Sequence, residues 1–116
     1  MSPDRARSLD WEGVTAFAVS LPGAERSTYY GGPAVKANGN AFIAPGREDG
    51  SFCLMIDRDT VDMLKETDPE TYWQTRHYEG WPSVLVRFDS PDPERVHAMI
   101  ERAHQQALAK KRPKKT

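Results

Sequence analysis

Residues 33–56, PAVKANGNAFIAPGREDGSFCLMI, decide the fold. Three short β-type runs, Pro33 to Ala37, Asn40 to Ala44 and Ser51 to Ile56, are separated by turn chemistry and not by helical spacing. Asn38-Gly39, between the first two, is the strongest short hairpin signal, because both central residues of a type I′ turn need positive φ. The second connection, PGREDG, is a longer charged loop. Strands joined in this way form an antiparallel meander, which leaves the helical segments before and after it to cover a face.

Before the meander, Asp10 can cap a helix in which Trp11, Val14, Ala18 and Leu21 recur at helical spacing and Phe17 widens the stripe; Leu-Pro-Gly ends it. After the meander, Asp57 or Asp59 can cap a short helix through Val61, Met63 and Leu64, stopped by Asp68-Pro69. Thr71 to Tyr78 reads either as a strand or as partly helical. Ser83 to Phe88 is the clearest strand. Asp92 then supplies an N-cap and Pro93 the first position of a last helix, whose Val96, Met99, Ile100, Ala103, Ala107 and Leu108 fall on one face. The expected fold is α+β: a single antiparallel sheet of about five strands with N- and C-terminal helices packed on one face. One domain is expected over 1–109, followed by a flexible basic tail, 110–116.

Period-two alternation sends Phe52, Leu54, Ile56, Val84, Val86 and Phe88 toward the helices. Lys36, Cys53, Met55, Leu85 and Arg87 fall on the opposite face, expected to be comparatively open. That face mixes soft apolar side chains with two cations, which suits binding or contact between copies; the expected state is a monomer or weak homodimer.

Composition narrows the class. A chain of 116 residues closes one core without staples, and no apolar run approaches the roughly 18 residues of a membrane span. The N-terminus has no apolar signal segment, so a cytoplasmic protein without membrane contact is expected. The lone cysteine, Cys53, has no internal partner for a disulfide. Formal net charge is −1, but five of the 16 basic residues lie in 110–115, which leaves 11 against 17 acidic residues and a body of about −6. An acidic body argues against a broad phosphate-binding face, whereas the tail residues Lys110, Lys111, Arg112, Lys114 and Lys115 can attract a polyanion.

Catalytic and metal patterns are weak. His97 and His104 are two helical turns apart, about 10 Å, too far to share one ion, and His77 has no ligand-spaced companion. His104 is expected at the boundary of the apolar stripe. Cys53 has no recognisable activating histidine, and no Gly-x-Ser-x-Gly elbow is present. YGGP and ANGN sit at β-turns, not at a strand-to-helix phosphate loop. Asp57, Asp59, Asp89 and Asp92 stand where helix caps belong. No enzyme, cofactor or metal is expected. What remains is a set of rings, Tyr29, Tyr30, Tyr72, Trp73, Tyr78 and Trp81, interleaved with Lys36, Arg76 and Arg87. Such a set stacks bases and pairs phosphates, although packing also uses rings of this kind.

LPGAERSTYYGGPAVKANGNAFIA and DPETYWQTRHYEGWPSVLVRF resemble the two conserved-pattern blocks of MmcQ/YjbR-like proteins, with similarity over residues 10 to 109. The resemblance implies a frataxin-like arrangement and a DNA-binding role, with Lys36, Tyr78, Trp81 and Arg87 on matching positions. Val35 and Ser83 depart from the family pattern, where aromatic residues are common, so a stacking surface here is expected to be smaller. Asp10 and Glu12 alone do not form the acidic ridge that iron binding in a frataxin-like fold would need. The expectation is a small non-enzymatic binding protein that contacts DNA through Lys36, Arg76, Tyr78, Trp81, Arg87, Lys110, Lys111 and Arg112. The alternative is a small-molecule or protein-partner module using the outer face around Cys53, Met55, Leu85 and Trp81.

Overall fold

A computed structural model of the protein describes residues 10–112. Helix α1, Trp11–Val19, starts where Asp10 accepts a hydrogen bond from the Gly13 backbone N–H at 2.7 Å, and Val14 and Ala18 bury its inner face. Strands β1 (Ala24–Tyr29), β2 (Gly32–Ala37), β3 (Asn40–Pro45) and β4 (Ser51–Met55) follow as a meander. Helix α2, Arg58–Thr67, comes next, then the two-residue strand β5 (Tyr72–Trp73), a 3-10 turn at Arg76–Tyr78, strand β6 (Ser83–Arg87) and helix α3, Pro93–Ala109. Of the two candidate caps for α2, Asp57 is the one used: its carboxylate accepts from Thr60 N at 2.9 Å. Asp92 caps α3 ahead of Pro93.

Among the described residues the strands form one antiparallel sheet of order β1-β2-β3-β4-β6-β5. The sheet has six strands, not about five, because Ala24–Tyr29 forms an edge strand and β5 pairs with β6 although only two residues long. The Thr71–Tyr78 stretch divides between that short strand and the 3-10 turn. All three helices contribute to a single core on one face. Val14, Val61, Leu64, Val96, Ile100 and Ala103 pack there against Val35, Phe42, Ile43, Phe52, Leu54, Val84 and Val86. The inward set expected from alternation is thus found inside, with Phe88 half-buried against Phe52.

A bulge in the β2–β3 ladder breaks the alternation once. Val35 pairs with Ile43 and Lys36 with Ala41, so Phe42 is the extra residue and both Phe42 and Ile43 reach the core. Phe42 then meets His104 of α3 edge-on, with ring centroids 5.7 Å apart. His104 lies inside the core and not at its boundary, 1% exposed, because the Pro22 carbonyl 2.6 Å from Nε2 gives the buried ring a partner.

The Asn38-Gly39 hairpin turn has positive φ at both residues, as a type I′ turn requires. It has a second task. The side-chain amide of Asn38 donates to the Lys110 carbonyl at 2.8 Å, and that of Asn40 to the Ala107 carbonyl at 3.0 Å. The last carbonyls of a helix have no partner within it, and here the first hairpin supplies them. The chain therefore leaves α3 at a fixed point beside the β2–β3 turn, with Lys111 and Arg112 exposed; Lys114 and Lys115 lie outside the described residues.

Candidate binding face of the sheet

The face opposite the helices is assembled by register. Ser27 pairs with Ala34, Ala44 with Cys53, Cys53 with Leu85 and Leu85 with Trp73, so a row of side chains crosses the strands. Lys36 lies between Glu25 and Ala41, and Arg87 lies opposite Ser51. The expected outer residues are on this face, but the face is not open. Ala34, Ala44 and Leu85 are only 3%, 8% and 6% exposed, and Cys53 and Met55 are half-buried.

Residues 74–82, between β5 and β6, run back along this face, with Tyr78 near Arg47 and near Tyr29, which in turn neighbours Cys53. The Gln74 side-chain amide donates to the Trp81 carbonyl at 3.0 Å and to the Ser83 carbonyl at 2.8 Å, closing the neck of the segment. The segment folds back across the sheet far enough for Arg47, just after β3, to donate from Nε to the Tyr78 hydroxyl at 3.1 Å. The Arg47 guanidinium also stands 5.7 Å from the Tyr78 ring centroid, and Trp81 meets Tyr78 edge-on at 5.5 Å. Burial raises the pKa of the Tyr29 phenol, and Tyr30, Cys53 and Tyr78 lie near enough to raise it further. The three tyrosines, the thiol, Trp81 and Arg47 thus converge on one region.

At the rim the rings emerge. Tyr30 is 94% exposed and Trp81 54%, with Tyr29 at 41%. Tyr30 has φ of 53° at the β1–β2 turn, a conformation that bulky side chains rarely adopt. Its ring packs against Tyr29 at 4.6 Å.

The cations do not form one patch. Arg76 is exposed at the start of the 3-10 turn, and Lys36 is half-buried toward the β2–β3 hairpin, the end at which Lys110, Lys111 and Arg112 leave α3. Arg87 is at the far end of β6 and is occupied there. It donates from Nε to the Glu70 carbonyl at 2.8 Å, stands 5.6 Å from the Trp73 ring centroid and pairs loosely with Asp89 at 3.7 Å. The shallow depression beside it, about 270 Å³, is also lined by Glu48, Asp49 and Asp89, so its charge opposes an anion. A second depression of about 530 Å³ lies on the helical side near Leu21 and His104, away from the rings.

The reactive groups are placed as structural ones. Burial pushes the Cys53 thiol up to about 11, against a smaller opposing effect of its hydrogen bond with Ser83, so it is not a thiolate at neutral pH. His97 stacks on Phe17 at 4.2 Å. Among the described residues no three His, Cys, Asp or Glu side chains come together to hold a metal ion, and no helix is long and apolar enough to cross a membrane. Sequence reasoning did not single out Arg47, since nothing in PGREDG signals that its side chain turns back to Tyr78.

No curated protein matches the chain by sequence. A family model described as YjbR matches residues 19–106, a stretch that runs from the end of α1 through the whole sheet to the last turns of α3, and the protein belongs to the YjbR family.

Proposed function

We propose that the protein is a non-enzymatic binding protein that holds an unpaired nucleic-acid strand against the rim formed by Tyr29, Tyr30, Arg47, Tyr78 and Trp81. The carrying observation is the exposure of Tyr30 and Trp81 beside the Arg47–Tyr78 contact, on the face away from the helices. Exposed rings with interleaved cations stack bases without reading sequence, and each stacked base contributes about 1–3 kcal/mol. The left-handed backbone at Tyr30 adds support: a turn that keeps a large exposed ring in a costly conformation is accounted for by a use for the ring. Arg47, Arg76 and Lys36 are the cations for phosphates, with the tail as an auxiliary. The acidic body disfavours a duplex, whose charge density is higher.

The test is anisotropy of a labelled ten-nucleotide single strand and of the matching duplex over a salt series. The single strand is expected to bind more tightly, with a log–log salt slope of about −2 for three phosphate contacts. Trp81→Ala is expected to weaken binding about 5- to 150-fold. Lys110→Gln, Lys111→Gln and Arg112→Gln together are expected to leave most of the affinity, and they spare the backbone carbonyls that Asn38 and Asn40 hold. Equal affinity for the duplex, or complete loss in the tail variant, refutes the assignment. A protein-partner reading is favoured by one observation: Glu25 and Glu48 border the same face, opposite Lys36 and against Trp73. It predicts no nucleic-acid binding at any salt.

A further inference from the structure

Residues 74–82 hold themselves together. Tyr78 N donates to the Thr75 carbonyl at 2.9 Å, Glu79 N to Arg76 at 3.4 Å and Trp81 N to Tyr78 at 3.0 Å, while Gln74 spans the neck. These bonds lie within the segment or between its two stems, and the stems themselves are anchored: Ile56 N donates to the Pro82 carbonyl at 3.1 Å and Lys65 Nζ to the Gln74 side-chain oxygen at 2.8 Å, so the part able to swing away from the sheet is 75–81, between Gln74 and Pro82. Toward the sheet, Arg47 meets the Tyr78 hydroxyl through a surface hydrogen bond. The hydroxyl of Thr75 is buried with no hydrogen-bond partner, which destabilises the closed position. Ser83, at the exit stem, is hydrogen-bonded with Cys53, and Leu85 lies next to Cys53 in register.

We propose that 75–81, hinged at the anchored residues Gln74 and Pro82, is a lid that opens over Cys53 and Leu85 without unfolding of the sheet, and that the strip it uncovers receives a base of the bound strand. The second half rests on the nucleic-acid reading above. Ala44, Cys53 and Leu85 lie on three adjacent strands, a floor roughly 10 Å across at the ordinary strand spacing. Its side chains are small or aliphatic, and the lid carries Tyr78 and Trp81, which meet edge-on, as the rings available to a bound base. A flat aromatic ring carrying a phosphate is the chemistry that this floor, these rings and Arg47 accommodate together.

Cys53 is the only cysteine, so its reaction with a thiol reagent reports the opening in the full chain. Labelling is measured over low urea, well below the unfolding transition, beside an independent measurement of the unfolding rate. Lid opening predicts a rate slower than that of an unfolded chain at the same pH, nearly independent of urea and faster than global unfolding. Arg47→Ala is expected to speed labelling about fivefold, the effect of one lost side-chain hydrogen bond, with little change in the urea midpoint. A rate that follows the full urea dependence of unfolding overturns the lid, as does a rate already equal to that of the unfolded chain. With a saturating oligothymidine decamer, labelling is expected to slow at least about tenfold, as for a ligand that occupies the strip. Binding with unchanged labelling overturns the strip assignment. Absence of binding refutes the nucleic-acid reading, and the lid is then judged by the thiol alone.

Discussion

Asn40→Asp tests whether the first hairpin holds the end of the last helix. The Asn40 amide has two hydrogens; one goes to the Ala107 carbonyl at 3.0 Å, and the other is shared between Asn38 at 3.3 Å and Lys111 at 3.4 Å. Net values of about 0.5–1.5 kcal/mol per bond, discounted because water reaches part of this helix end, give about 1–2 kcal/mol for Asn40→Ala. Asp removes the same donors and aims a carboxylate at carbonyls on the negative end of the helix dipole. That adds about 0.3–1 kcal/mol, for a total of about 1.3–3 kcal/mol. Urea unfolding followed by circular dichroism gives the free energy, and amide hydrogen exchange at Ala107–Lys110 shows whether the last turn frays first. As a comparison, Asn38→Gly loses the bond to Lys110 but relaxes a residue at φ 52°, and is expected within about 1 kcal/mol of the parent. Asn40→Asp within 0.5 kcal/mol of the parent, with exchange at the helix end unchanged, would refute the argument, the threshold being roughly the low end of a single hydrogen bond.

Two further outcomes follow from the site. The Cys53 thiol lies at about 11 in the folded protein against 9.0 ordinarily, so above pH 9 the unfolded chain releases its proton first and stability falls as pH rises from 9 to 11. The Cys53 share of the loss is at most about 2–3 kcal/mol, begins near pH 9, and is expected to vanish in Cys53→Ala, whereas the loss above pH 10 from Tyr29 and Tyr72, whose phenol pKa values burial also raises, remains when urea midpoints are compared. Arg87→Ala is expected to cost about 1 kcal/mol of stability, since its bond to the Glu70 carbonyl and its place over Trp73 are lost, while strand binding changes less than twofold. A larger binding defect in Arg87→Ala than in Trp81→Ala, measured by the same anisotropy titration, would move the interface to the far end of β6.

The elements that were legible carry their signals locally. Asp10, Asp92-Pro93 and Asn38-Gly39 act within one turn of themselves, and Ser83 to Phe88 alternates because one face is fully in the core. Strand β1 was not legible because AERSTY is partly or fully exposed at every position, as befits an edge strand, and so carries no alternation. The bulge at Phe42 hid in two consecutive apolar residues that period two assigns to opposite faces. The outer face was readable as a set of side chains, since register follows alternation. The path of residues 74–82 along it was not, because that path depends on the meeting of Tyr78 with Arg47, 31 positions apart. His104 went inside for a similar reason: its partner is a carbonyl 82 residues away.

The clasp between the first hairpin and the last helix bears on how the chain is made. The ribosome delivers Asn38 and Asn40 early, with Val35, Ala37, Phe42 and Ile43 already on one face of the hairpin, yet α3, which packs over them, comes after every strand of the sheet. β6 must also enter between β4 and β5 after both have emerged. Until Lys110 leaves the exit tunnel, the early half of the sheet therefore waits with its apolar face lacking part of its final cover, and the two asparagines have nothing to hold.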